Sequence, residues 1–144
     1  MRAFWWMGTC TLSLLATACG AASPQVSPRY AVEAGERFTP AIVRQDTVPD
    51  EAVARLEARL DAQLARADLL AAERERGGKT LEVVITDYPD APASRDDLRS
   101  TVLIKDAERV VVGRYDVRTR GHGDGEALID EHADDVVETL RGGR

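Results

Sequence analysis

STVLIKDAERVVVGRYDVRT, residues 100–119, decides the fold. Two runs rich in β-branched residues, Ser100 to Ile104 and Val110 to Thr119, flank Lys105-Asp106-Ala107-Glu108-Arg109. Runs of this kind separated by a short polar stretch read as two antiparallel strands joined by a turn. Successive side chains of a strand point to opposite faces. That alternation predicts Val111, Gly113, Tyr115 and Val117 on one face and Arg114, Asp116 and Arg118 on the other. A sheet with one buried and one wet face is expected.

Working outward, LEVVITDY, residues 81–88, is a further strand that ends at Pro89, and Asp90 to Leu98 is a polar connection containing Pro92. Upstream of the charged loop Glu73 to Lys79, the residues Val53, Leu56, Leu60, Leu64 and Ala67 recur at three- and four-residue spacing. This spacing predicts an amphipathic helix over Pro49 to Asp68, with Thr47 as its cap and Asp50 as an acid in its first turn. Leu69 to Ala72 either continues that helix or forms a short strand. Arg37 to Val43 is rich in β-formers around Pro40, which confines a strand there to a sheet edge. Beyond the strands, Gly121 to Gly125 reads as a loop. Ile129, Ala133, Val136, Val137 and Leu140 then form a second helical stripe that ends near Gly142. The expected class is α+β, a mostly antiparallel sheet of about four to five strands with two helices packed on one face.

The amino terminus has a different character. Arg2, an apolar stretch from Ala3 to Leu15 and then small residues match a signal peptide. The stretch falls short of the roughly 20 residues of a membrane-spanning helix. Leu15-Ala16-Thr17-Ala18-Cys19 resembles the lipobox of bacterial lipoproteins, with its leucine one step further from the cysteine than usual. The resemblance implies cleavage before Cys19 and acylation of that residue. Ala16-Thr17-Ala18 would also serve as an ordinary cleavage site, leaving a soluble exported protein. The expected organisation is a signal peptide over 1–18, a lipid-anchored tether over 19–35 and one α/β domain over 36–144. Tyr30 and Val32 are residues of the tether that would dock on the domain or add a short edge strand. Gly20 after the cysteine resembles the sorting signal of outer-membrane lipoproteins facing the periplasm.

Together LEVVITDYPD, STVLIKDAERVVVGRYDV and GHGDGEALIDEHADDVVETLRG resemble the second half of the envelope lipoproteins grouped as the DUF4410 family. These are similar in outline to the amino-terminal domain of TolB and to transport-auxiliary lipoproteins. The features that match are a strand ending in Asp87-Tyr88, a hairpin carrying Asp106-Ala107, and a glycine-marked helix ending Val137-x-x-Leu140. The resemblance covers about Arg37 to Gly142. It implies a fold and an envelope compartment, and no catalytic residues.

Charge and motif content narrow the chemistry. The chain has 19 Lys and Arg against 25 Asp and Glu, a net charge of −6, and loss of Arg2 with the signal makes it more acidic still. An acidic chain with no basic cluster has no electrostatic case for nucleic acid. Of the two cysteines, Cys10 leaves with the signal, so no disulfide forms within the mature chain. His122 and His132, with Asp124, Glu126 and Asp130 nearby, are the residues a metal site would use, but their spacing crosses a glycine loop and matches no metal motif. They are expected to be a loop residue and an exposed helix residue, with no metal and no cofactor. GHGDG lacks the lysine and hydroxyl of a phosphate loop, and no nucleophile motif is present. The adjacent pairs Asp96-Asp97 and Asp134-Asp135 read as surface acids. The expectation is a non-catalytic interaction or assembly module of the envelope, held to a membrane through Cys19 and meeting a protein partner. The open edges would be Arg37 to Val43 or Val110 to Thr119. Periplasmic binding of a small ligand is the alternative and a hydrolase the third class.

Overall fold

A computed structural model describes residues 30–72, 78–89, 97–120 and 125–142. The elements run β1 (Phe38–Val43), α1 (Asp50–Arg66), β2 (Lys79–Asp87), β3 (Leu98–Lys105), β4 (Val111–Thr119) and α2 (Gly125–Gly142). The strands form one sheet in the order β1-β2-β3-β4. β1 lies parallel to β2, and the other two pairings are antiparallel. The fold is α+β with a mostly antiparallel sheet, as the sequence predicts.

The register sorts side chains onto two faces. Leu81, Val83 and Ile85 of β2 stand opposite Ile104, Val102 and Ser100 of β3, which in turn oppose Gly113, Tyr115 and Val117 of β4. All nine are buried. Onto this face pack Leu56, Leu60 and Leu64 of α1 and Leu128, Ile129, Ala133, Val136, Val137 and Leu140 of α2. Each large apolar side chain buried there contributes about 1.5–3 kcal/mol, so the two layers account for the stability of a domain with no internal disulfide.

The expected alternation in β4 holds from Gly113 onward and fails at Val111, which is exposed. Lys105 pairs with Val111 while Ile104 pairs with Gly113, so Val112 is an extra residue in the strand. This bulge breaks the period of two. The α1 start also differs from expectation. Pro49, in an extended conformation, occupies the N-cap position without a side-chain capping bond, and Thr47 is exposed. The extended Pro49 backbone places the first helical residue at Asp50, so Thr47 lies outside the reach of a cap.

α1 ends in a reversal: Leu69 N–H donates to the Leu64 carbonyl at 2.8 Å and Asp68 N–H to that of Ala65 at 3.1 Å, with Asp68 at φ 59°. These are the two bonds of a Schellman motif, here with Asp where glycine is usual. The helix therefore stops before Leu69, and Leu70 bridges Phe38 as a minimal strand. The folded unit also takes in Tyr30 to Gly35, which the sequence assigns to the tether. Tyr30 and Val32 pack on the core, and a turn at Glu33 to Glu36, with Gly35 at φ 84°, leads into β1.

Candidate interaction surface

Both segments singled out as open edges are the two outer strands of the sheet. They differ in how available they are. In β1, Phe38 donates its N–H to the Leu69 carbonyl at 2.7 Å, and its own carbonyl accepts from Ala71 N–H at 2.9 Å. Phe38 thus directs its main-chain groups away from β2, and so, two residues on, does Pro40. Proline is tolerated on an edge strand where its missing N–H would have faced outward. That edge is covered at one position and lacks a donor at the next. β4 is the freer edge: nine residues long, paired only with β3 among the described residues.

The face opposite the helices bears a diagonal of apolar residues, Val43, Val84, Leu103 and Val112, crossing all four strands. Val84 and Leu103 are half-buried by their neighbours, and Val43 is 44% exposed. Charged side chains flank the diagonal. Lys105 Nζ donates to both carboxylate oxygens of Glu82 at 2.8 and 2.7 Å, and Thr101 donates to Asp116 at 2.7 Å. At one end of β4, Val110, Val111 and Val112 are 58%, 49% and 38% exposed. The turn before them is tightly tied. Arg109 N–H donates to the Asp106 carbonyl at 3.0 Å, Asp106 N–H to the Val110 carbonyl at 3.0 Å, and Val110 N–H to Asp106 Oδ1 at 2.8 Å. Arg109 takes φ 64°, the left-handed position of a turn followed by a bulge.

The amino-terminal segment reaches the same end of the sheet. Tyr115 donates its hydroxyl to the Tyr30 carbonyl, and Tyr30 donates its own to Glu36, which also binds Lys79. The Tyr30 side chain lies over Gly113, where an added Cβ would come within 2.6 Å of it. Burial, then the bond to Glu36, push the Tyr30 phenol up to about 12. Burial acts to raise the Glu36 carboxyl, but hydrogen bonds from Lys79, Tyr30 and Glu33 N–H outweigh it and hold it below its ordinary value. The bond to Glu36 raises Lys79. The cluster therefore stays ionised on Glu36 and Lys79 and neutral on Tyr30 across neutral pH.

His132 is not the exposed residue expected from the sequence. It is fully buried between α2 and the sheet, 2.8 Å from Ser100 through Nε2 and 2.8 Å from Thr119 through Nδ1. Thr119 donates its hydroxyl to Asp135 at 2.6 Å, so its oxygen is left to accept from His132 Nδ1–H. Nε2 then accepts from Ser100, and a neutral imidazole satisfies every partner. Burial lowers its pKa to about 4. The chain of hydroxyl, imidazole and carboxylate resembles a nucleophile relay, but Ser100 is 2% exposed and has no open path to a substrate. His132 lies on the apolar stripe of its helix, which is why it is inside. His122 and Asp124 lie outside the described residues. Glu126 and Asp130 bind Arg55 instead, at 2.6 Å and at 2.9 and 2.8 Å, while Asp134 binds Arg59 at 3.1 and 3.0 Å. These contacts fasten α1 to α2. The hydrogen bond from Arg55 lowers the Asp130 carboxyl. Asp134 and Asp135 are thus both engaged, Asp134 while 45% of its side chain stays in solvent. Asp97 binds Arg118, and Asp96 lies outside the described residues.

A groove of about 430 Å³ lies between the two helix N-termini and Tyr88, lined by Pro49, Ala52, Arg55 and Ile129 among others. No helix among the described residues is long and apolar enough to cross a membrane. Cys19 and the lipobox-like stretch lie outside the described residues.

No family model matches the chain, and no curated protein matches it in sequence. Solved structures that share its fold include two of one protein. One is the PelC dodecamer from Paraburkholderia phytofirmans, 14% identical, with a TM-score of 0.54 over 80% of this chain and 92% of that one. A single-substitution variant of the same dodecamer is 16% identical, with a TM-score of 0.54 over 74% and 86%. At such identity the likeness is one of fold.

Proposed function

We propose that this chain is a lipid-anchored, non-catalytic assembly module of a bacterial cell envelope. It is exported behind residues 1–18, acylated on Cys19, and held at a membrane, the outer membrane facing the periplasm where the cell has two. The DUF4410 resemblance belongs to the same reading. The observation that carries the assembly role is the bare sheet face from Val43 through Val84 and Leu103, beside β4, which among the described residues pairs in the sheet with β3 alone. A sheet with one layer of helices leaves its second face for another protein. One protein of this fold, PelC, is described as a dodecamer in two structures, which supports association between copies.

The test has two arms. Intact mass of protein purified from membranes should give a chain beginning at Cys19 with acyl mass added, and Cys19→Ala should lose that mass and leave the membrane fraction. Light scattering of the detergent-solubilised protein should give a multiple of the monomer mass, which Leu103→Lys reduces while the far-ultraviolet circular dichroism is unchanged. An unacylated chain in the soluble fraction refutes the anchor. A monomer that binds no envelope protein in a cross-linking experiment refutes the assembly role.

A further inference from the structure

The three exposed valines of the β3–β4 hairpin and the docked amino terminus lie together, and we infer that Val110, Val111 and Val112 form a second membrane contact that lies on the bilayer surface beside the lipid anchor. The inference rests on acylation of Cys19.

The argument begins with where the leash ends. Tyr30 is fastened at β4, its side chain over Gly113 and its carbonyl bound by Tyr115. Val112 is the neighbour of Gly113 in the chain, and Val111 and Val112 together oppose Lys105 on the other face. The point at which the anchoring segment joins the domain is thus one to three residues along the chain from the three exposed valines, which include the most exposed large apolar side chain among the described residues. Between Cys19 and Tyr30 lie about ten residues, a reach of at most about 35 Å when fully extended. As a flexible chain the same length averages about 17 Å end to end. At that average length the leash holds this end of the sheet nearer the headgroups than the end where β1 and β2 finish, which lies up to about 30 Å further along nine-residue strands.

The chemistry of the tip suits that position. Lys105 and Arg109 equal Asp106 and Glu108 in number, but Glu82 holds Lys105 and leaves the tip one negative charge over, so the contact rests on the valines and not on charge. The turn bonds from Asp106 hold Val110 outward without needing a partner to order it. An anchored protein gains from even a weak second contact, because the leash makes that contact intramolecular. A contact of this size would not retain the domain without the lipid, in keeping with the general need for two signals in stable attachment.

The mature chain offers a clean probe, since Cys19 is acylated and Cys10 is gone. Lipidated full chains carrying Val111→Cys or Val43→Cys are labelled with an environment-sensitive fluorophore and reconstituted in vesicles of phosphatidylethanolamine and phosphatidylglycerol at 3:1. Val43 is the matched control, with similar exposure and a place several residues along the sheet. The expected result is a blue shift and at least twofold quenching by lipid-borne quenchers at 111, and no quenching by them at 43, whose emission reports the assembly face and not the bilayer. A lipidated chain whose probe at 111 is quenched no more than at 43 overturns the inference and leaves the anchor intact. A mass without acyl groups overturns the anchor and the inference together. A blue shift at 111 that persists without lipid in Cys19→Ala and grows with protein concentration assigns the tip to a second copy, and also overturns the inference.

Discussion

On the helix-covered face of the sheet, Ser100, Thr119 and His132 share hydrogen bonds of 2.8 Å with no access to water. On the opposite face of the same strands, Glu82 and Lys105 make a bond of 2.7 Å that carries full charges, yet part of each side chain meets solvent. The charged pair has the stronger gas-phase attraction, but its members keep an alternative in water if they separate. The buried neutral groups have none. What a polar contact is worth is set less by its length or charge than by what its partners do when it is lost. Four experiments measure that difference, from the side where the loss is greatest.

His132→Leu keeps most of the side-chain volume and removes both acceptor and donor. The Ser100 hydroxyl loses its acceptor inside the core, and Thr119 loses the N–H that its oxygen accepts. A loss of about 2–4 kcal/mol is expected in urea unfolding, since each stranded buried group costs about 1–3 kcal/mol. Adding Ser100→Ala should recover the share owed to the stranded serine hydroxyl, whereas Thr119 must stay because it also donates to Asp135. If His132→Leu alone is neutral, burial is not what gives this cluster its weight.

Acid is a gentler way to break the same cluster. The imidazole has a pKa of about 4 when folded, below its ordinary 6.5. Between those values the unfolded chain takes up a proton and the folded one does not, so stability is fully present above pH 6.5 and falls as pH drops toward 4. The expected loss is about 2–3 kcal/mol by pH 4. Asp135, reached through Thr119, is the carboxylate nearest the ring along this network. Glu36 and Asp130, both lowered, add a further loss beneath the ordinary carboxylate range. His132→Gln separates the two, because only the loss between pH 6.5 and 4 should disappear in thermal melts.

Gly113→Ala tests a buried contact of another kind, steric where His132 is polar. The new methyl meets the Tyr30 Cβ at 2.6 Å, close to the main chain, where a rotamer change gives little relief. The expected cost is about 1–2 kcal/mol, in the lower part of the usual overpacking range because a terminal segment can lift away. Hydrogen exchange should quicken at Tyr30 to Glu36 and stay unchanged in β2. Equal exchange in both forms would show that Tyr30 does not rest on Gly113.

These residues also mark the limits of reading the chain without its fold. Strand alternation and helical spacing are local, so the element order and both outer strands were legible. The bulge at Val112 was not, because a shift of one residue leaves the composition of VVVGRY unchanged. His132 carries a readable signal: it sits three after Ile129 and four before Val136, on the apolar stripe. Ser100 and Thr119 likewise hold inward places in alternations set by Val102 and Val117. Polar residues at inward positions of three elements point to one another. No comparable signal existed for Tyr30, Glu36 and Lys79, whose meeting depends on how the chain enters β1. The proposed lipid anchor rests on Leu15 to Cys19 alone, as covalent modification follows a local motif and not the fold.

The smallest effect belongs to the open face. Glu82→Gln removes the charge opposite Lys105 but keeps the shape and one acceptor. Partly exposed pairs are worth about 0.2–1 kcal/mol, and here both side chains retain some solvent. A destabilisation of about 0.5 kcal/mol is expected, measured by chemical denaturation at low salt. It should shrink toward zero in 1 M salt, where the Debye length is about 3 Å. His132→Leu should keep its full cost under the same salt, because mobile ions do not enter a sealed core. If both penalties fall together, the buried cluster is being reached by solvent, and the contrast between the two faces of the sheet is lost.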